Sequence, residues 1–286
     1  MKNPNLKIRS MQREELDTLV EWAKVEGWNP GLSDADIFWE TEPEAFIAAE
    51  LDGEFVGGGS IASYNGQFGY MGFFIMRADL RNEGLGSILW HERLKRLIHR
   101  LHKPATIGMD GVFDMQHYYA KGGFEFAERD LRFEATGHAA PLHSSVVKLD
   151  QLVFEDILAY DRRHFPAERS RFLDLWIKQA GASAFGAVVE GKLSGFGVMR
   201  PCHTGYKIGP LFADNPDIAE NLLMALIAQA PGESIFLDVP ESNRPAIAMV
   251  QQLDMVEVFG CAKMYFGPKP DLPGDEIFGV TSFEFG

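Results

Sequence analysis

The 286-residue sequence contains only two cysteines, Cys202 and Cys261, which are too few for a disulfide framework. We therefore expect both thiols to be reduced. No apolar stretch approaches the roughly 18–20 residues that a membrane helix needs, and residues 1–4 lack the apolar core of a signal peptide. These features together predict a cytoplasmic protein without a membrane anchor.

Basic residues are also scarce, because 27 Lys and Arg stand against 41 Asp and Glu, for a formal net charge of −14. A chain this acidic repels nucleic acids and anionic membranes, so neither is expected as a partner. Amines and basic peptides would be attracted, although acidity also serves solubility alone. His99 and His102 have no carboxylate or cysteine at ligand spacing, so no metal site is predicted.

The composition is otherwise that of a folded protein, with 46% hydrophobic residues, and the length favours two domains. A strand–turn–strand pattern at residues 50–57 returns at residues 188–195, an offset of roughly 130–140 residues, which suits a duplicated domain. The repeat predicts domains at residues 1–136 and 146–286, joined by a linker at residues 136–145. Two closing strands, at residues 124–127 and 131–134, are expected to complete the first domain.

The most informative segment is residues 73–87, which is an apolar strand followed by a glycine-containing loop that opens an amphipathic helix. Gly84 and Gly86 let backbone N–H groups approach an anion, the helix N-terminus is electropositive, and Arg81 adds a cation. This pattern indicates a pyrophosphate site, although an ordinary loop with a solvated arginine is the alternative. No Gly-Lys-Ser/Thr follows, so the segment is not a Walker loop.

The form Arg-x-x-Gly-x-Gly resembles the coenzyme A loop of the GNAT superfamily of N-acetyltransferases. A second motif, the Tyr-x-x-x-Gly-Phe turn at residues 119–124, follows at a plausible distance. Residues 26–31, 108–112 and 277–284 look like signatures of a bacterial group of tandem GNAT proteins. The resemblance implies an α+β (mixed α/β) fold with two tandem GNAT-type domains, each a mostly antiparallel sheet flanked by helices.

The resemblance also implies that acetyl-CoA is the cosubstrate, without a metal. The residues expected to hold it are Phe74, Ile75, Met76, Arg81, Asn82, Glu83, Gly84, Leu85, Gly86 and Ser87. A backbone N–H near Ile75 would polarise the thioester carbonyl, and the Tyr119 hydroxyl would protonate the departing thiolate. Tyr119 could instead be a half-buried core aromatic.

The general base is less well defined, because the strand at residues 73–76 contains no carboxylate where some superfamily members have a glutamate. Asp110 is the best candidate and Glu26 the next; a turn or helix-cap role is the alternative for Asp110, and a water relay would need no base. Glu26, Trp28 and Asn29 are expected to border the acceptor groove. Trp28 could equally belong to the core.

The second half lacks these features, since residues 213–217 contain no glycine pair or arginine and Val250 stands where Tyr119 would be. We expect it to be a divergent domain, degenerate for coenzyme binding, with residues 279–285 as a docked C-terminal strand. The sequence thus predicts an acyl-CoA-dependent N-acyltransferase that moves an acetyl group to a primary amine of a small molecule or peptide by direct attack. The alternative is a non-catalytic acyl-CoA binder or sensor, and a homodimer stays open.

Overall fold

The computed structural model describes residues 5–104 and 106–286. The expectation about a signal peptide concerns residues 1–4 and lies outside them. The helices are α1 Arg13–Val25, α2 Asp34–Thr41, α3 Leu85–Arg100, α4 Gln116–Lys121, α5 Phe154–His164, α6 Ser170–Lys178, α7 Pro216–Ile227 and α8 Arg244–Gln252. None of the helices in these ranges is long and apolar enough to cross a membrane.

The strands are β1 Leu6–Ser10, β2 Phe46–Leu51, β3 Glu54–Tyr64, β4 Phe68–Met76, β5 Ile107–Val112, β6 Glu125–Thr136, β7 Val146–Lys148, β8 Ser183–Val189, β9 Lys192–Pro201, β10 Tyr206–Ala213, β11 Ser234–Pro240, β12 Val256–Phe266 and β13 Ile277–Gly279. Within the described ranges they form one sheet of order β1-β2-β3-β4-β5-β12-β6-β11-β10-β9-β8-β7, and β13 pairs with β10. The mostly antiparallel pairing and flanking helices confirm the predicted fold class.

The two halves exchange strands at the centre of this sheet. β12, from the second half, lies antiparallel to β5 of the first half. β6, from the first half, lies antiparallel to β11 of the second half, and β6 and β12 also pair with each other. The expectation that two strands close the first domain on itself is therefore wrong, because residues 125–136 form one strand. The predicted boundaries at residues 136 and 146 separate the halves in sequence, but the strands of both halves belong to one sheet.

The repeat seen in the sequence corresponds to equivalent hairpins in the two halves. β2 and β3 are joined through Asp52 (φ 53°) and Gly53 (φ 90°), and β8 and β9 through Glu190 (φ 51°) and Gly191 (φ 76°). Two successive residues with positive φ match the twist of the flanking strands, which fixes the register of a short hairpin. Each half therefore begins its sheet in the same way.

The C-terminal segment is largely buried, but the strand predicted for residues 279–285 is wrong in extent. β13 ends at Gly279, and residues 280–286 turn while remaining largely buried. The turn forms because the Ser282 hydroxyl accepts a hydrogen bond from the N–H of Phe285 (3.0 Å). The Phe285 ring then stacks on Phe38 of α2 at 4.5 Å. Phe285 thus lies in a core cluster to which both halves contribute, since its ring also stacks with Phe172 of α6.

Buried ion pairs also join the halves. The Arg200 guanidinium on β9 donates to Asp34 at the start of α2 (2.8 Å and 3.2 Å), and both side chains are at most 1% exposed. Arg132 on β6 makes a two-point contact with Asp238 on β11 (2.6 Å and 2.8 Å). Removing one partner of such a pair leaves an uncompensated buried charge, which strongly destabilises the fold.

Candidate active site

A cleft opens where β4 and β5 separate. The two parallel strands pair only at Gly69–Ile107 and Tyr70–Gly108. Beyond that point Phe73 adopts φ 50°, a conformation that bulky residues rarely take, and the register with β3 shifts. The bulge bends β4 away from β5, so the edge of residues 71–76 that faces β5 is left without a ladder partner among the described residues.

Arg93 of α3 binds the backbone next to this bulge. One terminal nitrogen of its buried guanidinium donates to the carbonyls of Ser60 and Gly72 (2.6 Å each). Its Nε and other terminal nitrogen have no hydrogen-bond partner among the described residues, and burial lowers the pKa of Arg93 to about 9. The wall of the cleft therefore contains a buried cation that no carboxylate of this part of the chain contacts.

The loop before α3 has the form of an anion site. Gly84 is the N-cap residue in the left-handed region (φ 80°), no side chain caps the helix, and Asn82 is also left-handed (φ 68°). Open N–H groups at a helix N-terminus attract anions. A Cβ at Gly86 would lie 3.3 Å from Met76 Cγ, so glycine lets the helix approach the strand closely.

The cleft encloses a cavity of about 570 Å³. Of the predicted site residues, those that line it are Glu26, Trp28, Phe74, Ile75, Met76, Arg81, Asn82, Gly84, Gly86, Ser87, Asp110 and Tyr119. Glu83 is exposed and Leu85 is buried in the core, so these two border the loop without lining the cavity. The structure thus brings together most of the residues that the two sequence motifs indicated.

A third predicted residue, Asn29, contacts the second half, and its role in acceptor binding stays a prediction. Its side-chain amide donates to the carbonyl of Thr204 (2.8 Å) and accepts from the N–H of the same residue (2.9 Å). Asn29 lies outside the cavity lining. Asn29 therefore binds a turn of the second half through both its amide nitrogen and its amide oxygen.

Arg81 and Glu26, predicted for different ligands, contact each other. The Arg81 guanidinium donates to the Glu26 carboxylate and to the carbonyl of Met76 (3.0 Å). Both side chains are partly exposed, 40% and 32%. Arg81 is thus held against the end of β4 rather than extended into solvent, and Glu26 is occupied by a cation.

Tyr119 packs in the cavity wall with Trp90 of α3, at a ring-centroid distance of 4.8 Å. Its ring lies over Gly111, where a Cβ would be 2.4 Å from it. Burial raises the pKa of Tyr119, so the phenol stays protonated at neutral pH. Tyr118 also lines the cavity, and its buried hydroxyl has no hydrogen-bond partner in residues 5–104 and 106–286. The cavity therefore contains two phenols, of which the sequence motif indicated one.

Asp110 lies within β5, not in a turn or helix cap. Its carboxylate accepts a hydrogen bond from the Tyr70 hydroxyl and lies 3.5 Å from Lys263 Nζ, which in turn is 2.8 Å from Asp130. Burial raises the pKa of Asp110 well above its usual range, and the neighbouring Asp130 carboxylate adds to the rise although Lys263 opposes it. This buried network ties β4, β5, β6 and β12 together.

Several residues of the cavity wall could not be found from the sequence motifs. They come from β12 and the C-terminal tail, and are Phe259, Cys261, Phe283 and Glu284. The only signal was that residues 277–284 resemble a group signature. Burial, together with Asp110, raises the pKa of the Cys261 thiol well above its usual range.

The corresponding cleft of the second half is filled by the chain itself. β10 and β11 are parallel at Ile208–Leu237, and beyond this β13 pairs with β10 while the N–H of Val280 donates to the carbonyl of Asp238 (2.9 Å). The N-terminus of α7 is capped by the Asn215 side chain, which accepts from the N–H of Ile218 (3.1 Å). Neither the gap nor the helix end is left open.

Within residues 5–104 and 106–286, no group of three or more His, Cys, Asp or Glu side chains is arranged to hold a metal ion. Both cysteines of this part of the chain are free and buried.

Comparison with known proteins gives the same picture for both halves. The Acetyltransferase (GNAT) family matches residues 12–124, and the Acetyltransferase (GNAT) domain matches residues 157–279. Holothin acyltransferase of Pseudoalteromonas sp. (strain SANK 73390) is 25% identical over 281 residues, which cover 96% of this chain and 92% of that protein.

Solved structures match over nearly the whole length. A putative acetyltransferase from Pyrococcus horikoshii superposes with a TM-score of 0.85 at 23% identity, over 100% of this chain and 98% of that one. A tandem GNAT protein from the clavulanic acid biosynthesis pathway superposes with a TM-score of 0.61 at 12% identity, over 93% and 99%. One GNAT match falls on each half, so the chain belongs to the GNAT superfamily of acyltransferases as a tandem-domain member.

Proposed function

We propose that the chain transfers an acetyl group from acetyl-CoA to a primary amine of a small molecule or peptide. The observation that carries this proposal is the open cleft between β4 and β5, which leads to the uncapped N-terminus of α3. The pyrophosphate would bind the N–H groups of residues 82–87, with Arg81 nearby, and the pantetheine arm would lie along residues 74–76. The name of the curated relative, an acyltransferase, supports the reaction class.

The amine would attack the thioester directly within a ternary complex. A covalent intermediate would require a nucleophile, and Cys261 is the thiol that lines the cavity in the described part of the chain. Its raised pKa keeps it protonated, which makes it a poor nucleophile. Tyr119 would donate a proton to the departing thiolate, as a neutral phenol can at pH 7.

The second half would bind no coenzyme and would serve as a wall of the acceptor site. Support comes from β13, which occupies the corresponding gap, and from the cap that Asn215 provides at α7. β12 and the tail of the second half reach the first cleft instead, where Phe259 and Phe283 line the cavity.

The test is to incubate the full chain with acetyl-CoA, a panel of primary amines and a dye that traps free thiols. Amine-dependent thiol release, with the acetylated amine found by mass spectrometry, is the expected result. Coenzyme binding without thiol release for any amine would favour a non-catalytic sensor. Absence of coenzyme binding would contradict both functions.

A further inference from the structure

Glu284 is an unpartnered acid in the wall of the cavity. Its side chain belongs to a residue only 3% exposed, and its Oε2 is buried without a hydrogen-bond partner. No ion pair or hydrogen bond reaches either carboxylate oxygen from the residues that the structure describes. Leaving a buried acceptor unsatisfied is costly, roughly 1–3 kcal/mol and more when it is charged, so such groups are usually completed by a ligand or water.

The backbone of Glu284 is fixed next to the bulge of β4. Its carbonyl accepts a hydrogen bond from the Ser60 hydroxyl (3.3 Å), and a Cβ at Gly72 would lie only 2.0 Å from the same oxygen. Gly72 directly precedes Phe73, where β4 turns away from β5. Glu284 is therefore anchored at the point where the cleft opens.

The charges around Glu284 are largely paired among themselves. Arg132 is held by Asp238 and Arg200 by Asp34, while Lys207 donates only to the carbonyl of Trp28 (3.4 Å) and has no carboxylate within ion-pair distance in the described part of the chain.

Burial and the neighbouring Arg132 charge lower the pKa of Lys207, and the negative charge of Glu284 opposes this lowering. The three cations Arg132, Arg200 and Lys207 and the two aspartates Asp34 and Asp238 together carry one formal positive charge. A negative Glu284 would balance that charge. Asp110 and Cys261 line the same cavity.

Aromatic side chains, Trp28, Phe259 and Phe283, line the same cavity as Glu284. One cation is already in contact with them, since the Arg132 guanidinium lies over the Phe259 and Phe283 rings at 5.2 Å from each centroid. Aromatic faces attract cations, and a carboxylate within an aromatic wall suits an ammonium group attached to an apolar body. The site chemistry therefore favours a cationic primary amine, such as an arylalkylamine, over an anionic acceptor.

We propose that Glu284 is a catalytic residue that binds the ammonium group of the acceptor and takes its first proton. This inference rests on the proposed acyl transfer. The freed amine attacks the thioester carbonyl, the C–N bond forms and the C–S bond breaks. The nitrogen then loses a second proton, and the departing thiolate gains one proton from the Tyr119 hydroxyl. The second proton from the nitrogen restores the Tyr119 hydroxyl. Glu284 passes the first proton to water, so each turnover releases one proton.

The test compares Glu284→Gln with Glu257→Gln in the full chain; Glu257 is an exposed residue of β12. The probes are phenethylamine, which is cationic at neutral pH, and p-anisidine, which is neutral. Glu284→Gln should lower kcat/KM for phenethylamine about 10²-fold or more, the range of a general base, and affect p-anisidine less. Higher pH should recover part of the phenethylamine rate, and Glu284→Asp should recover part of it at neutral pH.

A binding measurement separates this proposal from the proposed function. Calorimetry with coenzyme A already bound should show phenethylamine binding the wild-type chain at least about 10-fold more tightly than the Glu284→Gln chain. Equal binding, or no binding to either, would overturn the role of Glu284 even if other amines are acetylated. Equal losses for both amines together with weaker acetyl-CoA binding would also overturn it, since they would indicate a structural defect.

Discussion

The two halves of the chain share a strand pattern but differ at one place, the gap between their parallel strands. In the first half β4 and β5 separate around a cavity, and α3 begins without a side-chain cap. In the second half β13 lies in the gap, and Asn215 caps α7. An open gap and open N–H groups can receive a ligand, whereas the second half has satisfied the same groups internally. A duplicated domain can thus fill, with its own strand β13, the gap that its twin leaves open.

The largest expected effect comes from disabling the loop that precedes α3 in the first half. Arg81→Ala combined with Gly84→Val should abolish coenzyme binding in calorimetry, because valine strongly disfavours the left-handed conformation of Gly84 and Arg81 supplies the cation. A Cβ at Gly84 meets no atom within 4 Å, so the fold should survive.

The matched control is Asn215→Ala in the second half, which removes the cap of α7. One coenzyme per chain is expected in the wild type and in this control. Two equivalents bound per chain, or unchanged affinity in the double variant, would contradict the division between the halves.

Tyr119→Phe tests the chemistry of the open cleft. Turnover should fall about 10²–10⁴-fold, as for a positioned proton donor, with coenzyme affinity little changed. Tyr118→Phe is the matched control, because Tyr118 is the neighbouring phenol in the same cavity. If the Tyr118 variant loses the activity and the Tyr119 variant keeps it, the acid is Tyr118.

Asp34→Asn tests how firmly the halves are joined. It leaves Arg200 buried without its partner, which should cost about 3–5 kcal/mol in the free energy of unfolding measured with urea. Asp36→Asn, two residues away, removes a surface ion pair with Arg13 and should cost at most about 1 kcal/mol.

The effect of Asp34→Asn also depends on pH in a defined direction. Arg200 lowers the pKa of Asp34 against the opposing effect of burial. A carboxyl with a lowered pKa stabilises the fold above its unfolded value, about 4, and this contribution is lost as pH falls further. The stability difference between wild type and variant should therefore shrink in acid. A difference that grows as pH falls would contradict this assignment.

The smallest effect is expected from Cys261→Ala. Direct transfer needs no acyl-cysteine, and the thiol is protonated and buried. Turnover should stay within a few-fold of wild type, and mass spectrometry should find no acetylated protein after mixing with acetyl-CoA alone. A loss comparable to that of Tyr119→Phe would indicate a covalent intermediate.

Local features of the fold were predictable from the sequence. Gly84, Gly86 and Tyr119 lie in short motifs whose conformation depends on nearby residues, and the paired turns at residues 52–53 and 190–191 are equally local. The partner of each strand is not local. The sequence of β12 is compatible with either half, and only long-range packing places it beside β5.

The exchange of strands also explains why the sequence analysis did not find several residues of the cavity wall. Phe259 and Glu284 reach the cavity because β12 and the tail cross to the first half. Asn29 was expected to border the acceptor groove because it lies between the first two helices, but its backbone is left-handed (φ 52°) and its side chain bonds Thr204. Asp110 was expected at an end of its strand, and the buried contacts with Tyr70 and Lys263 show it in the middle of the sheet.

The exchange of β6 and β12 has a consequence for biosynthesis. Domains generally fold in order as the chain leaves the ribosome. Here the first half cannot complete its sheet, or its cleft, until β12 and the tail that carries Glu284 have been synthesised. We therefore expect a nascent chain to become able to bind and acylate only after residues 256–284 have left the ribosome, because these residues complete the cleft that the first half begins.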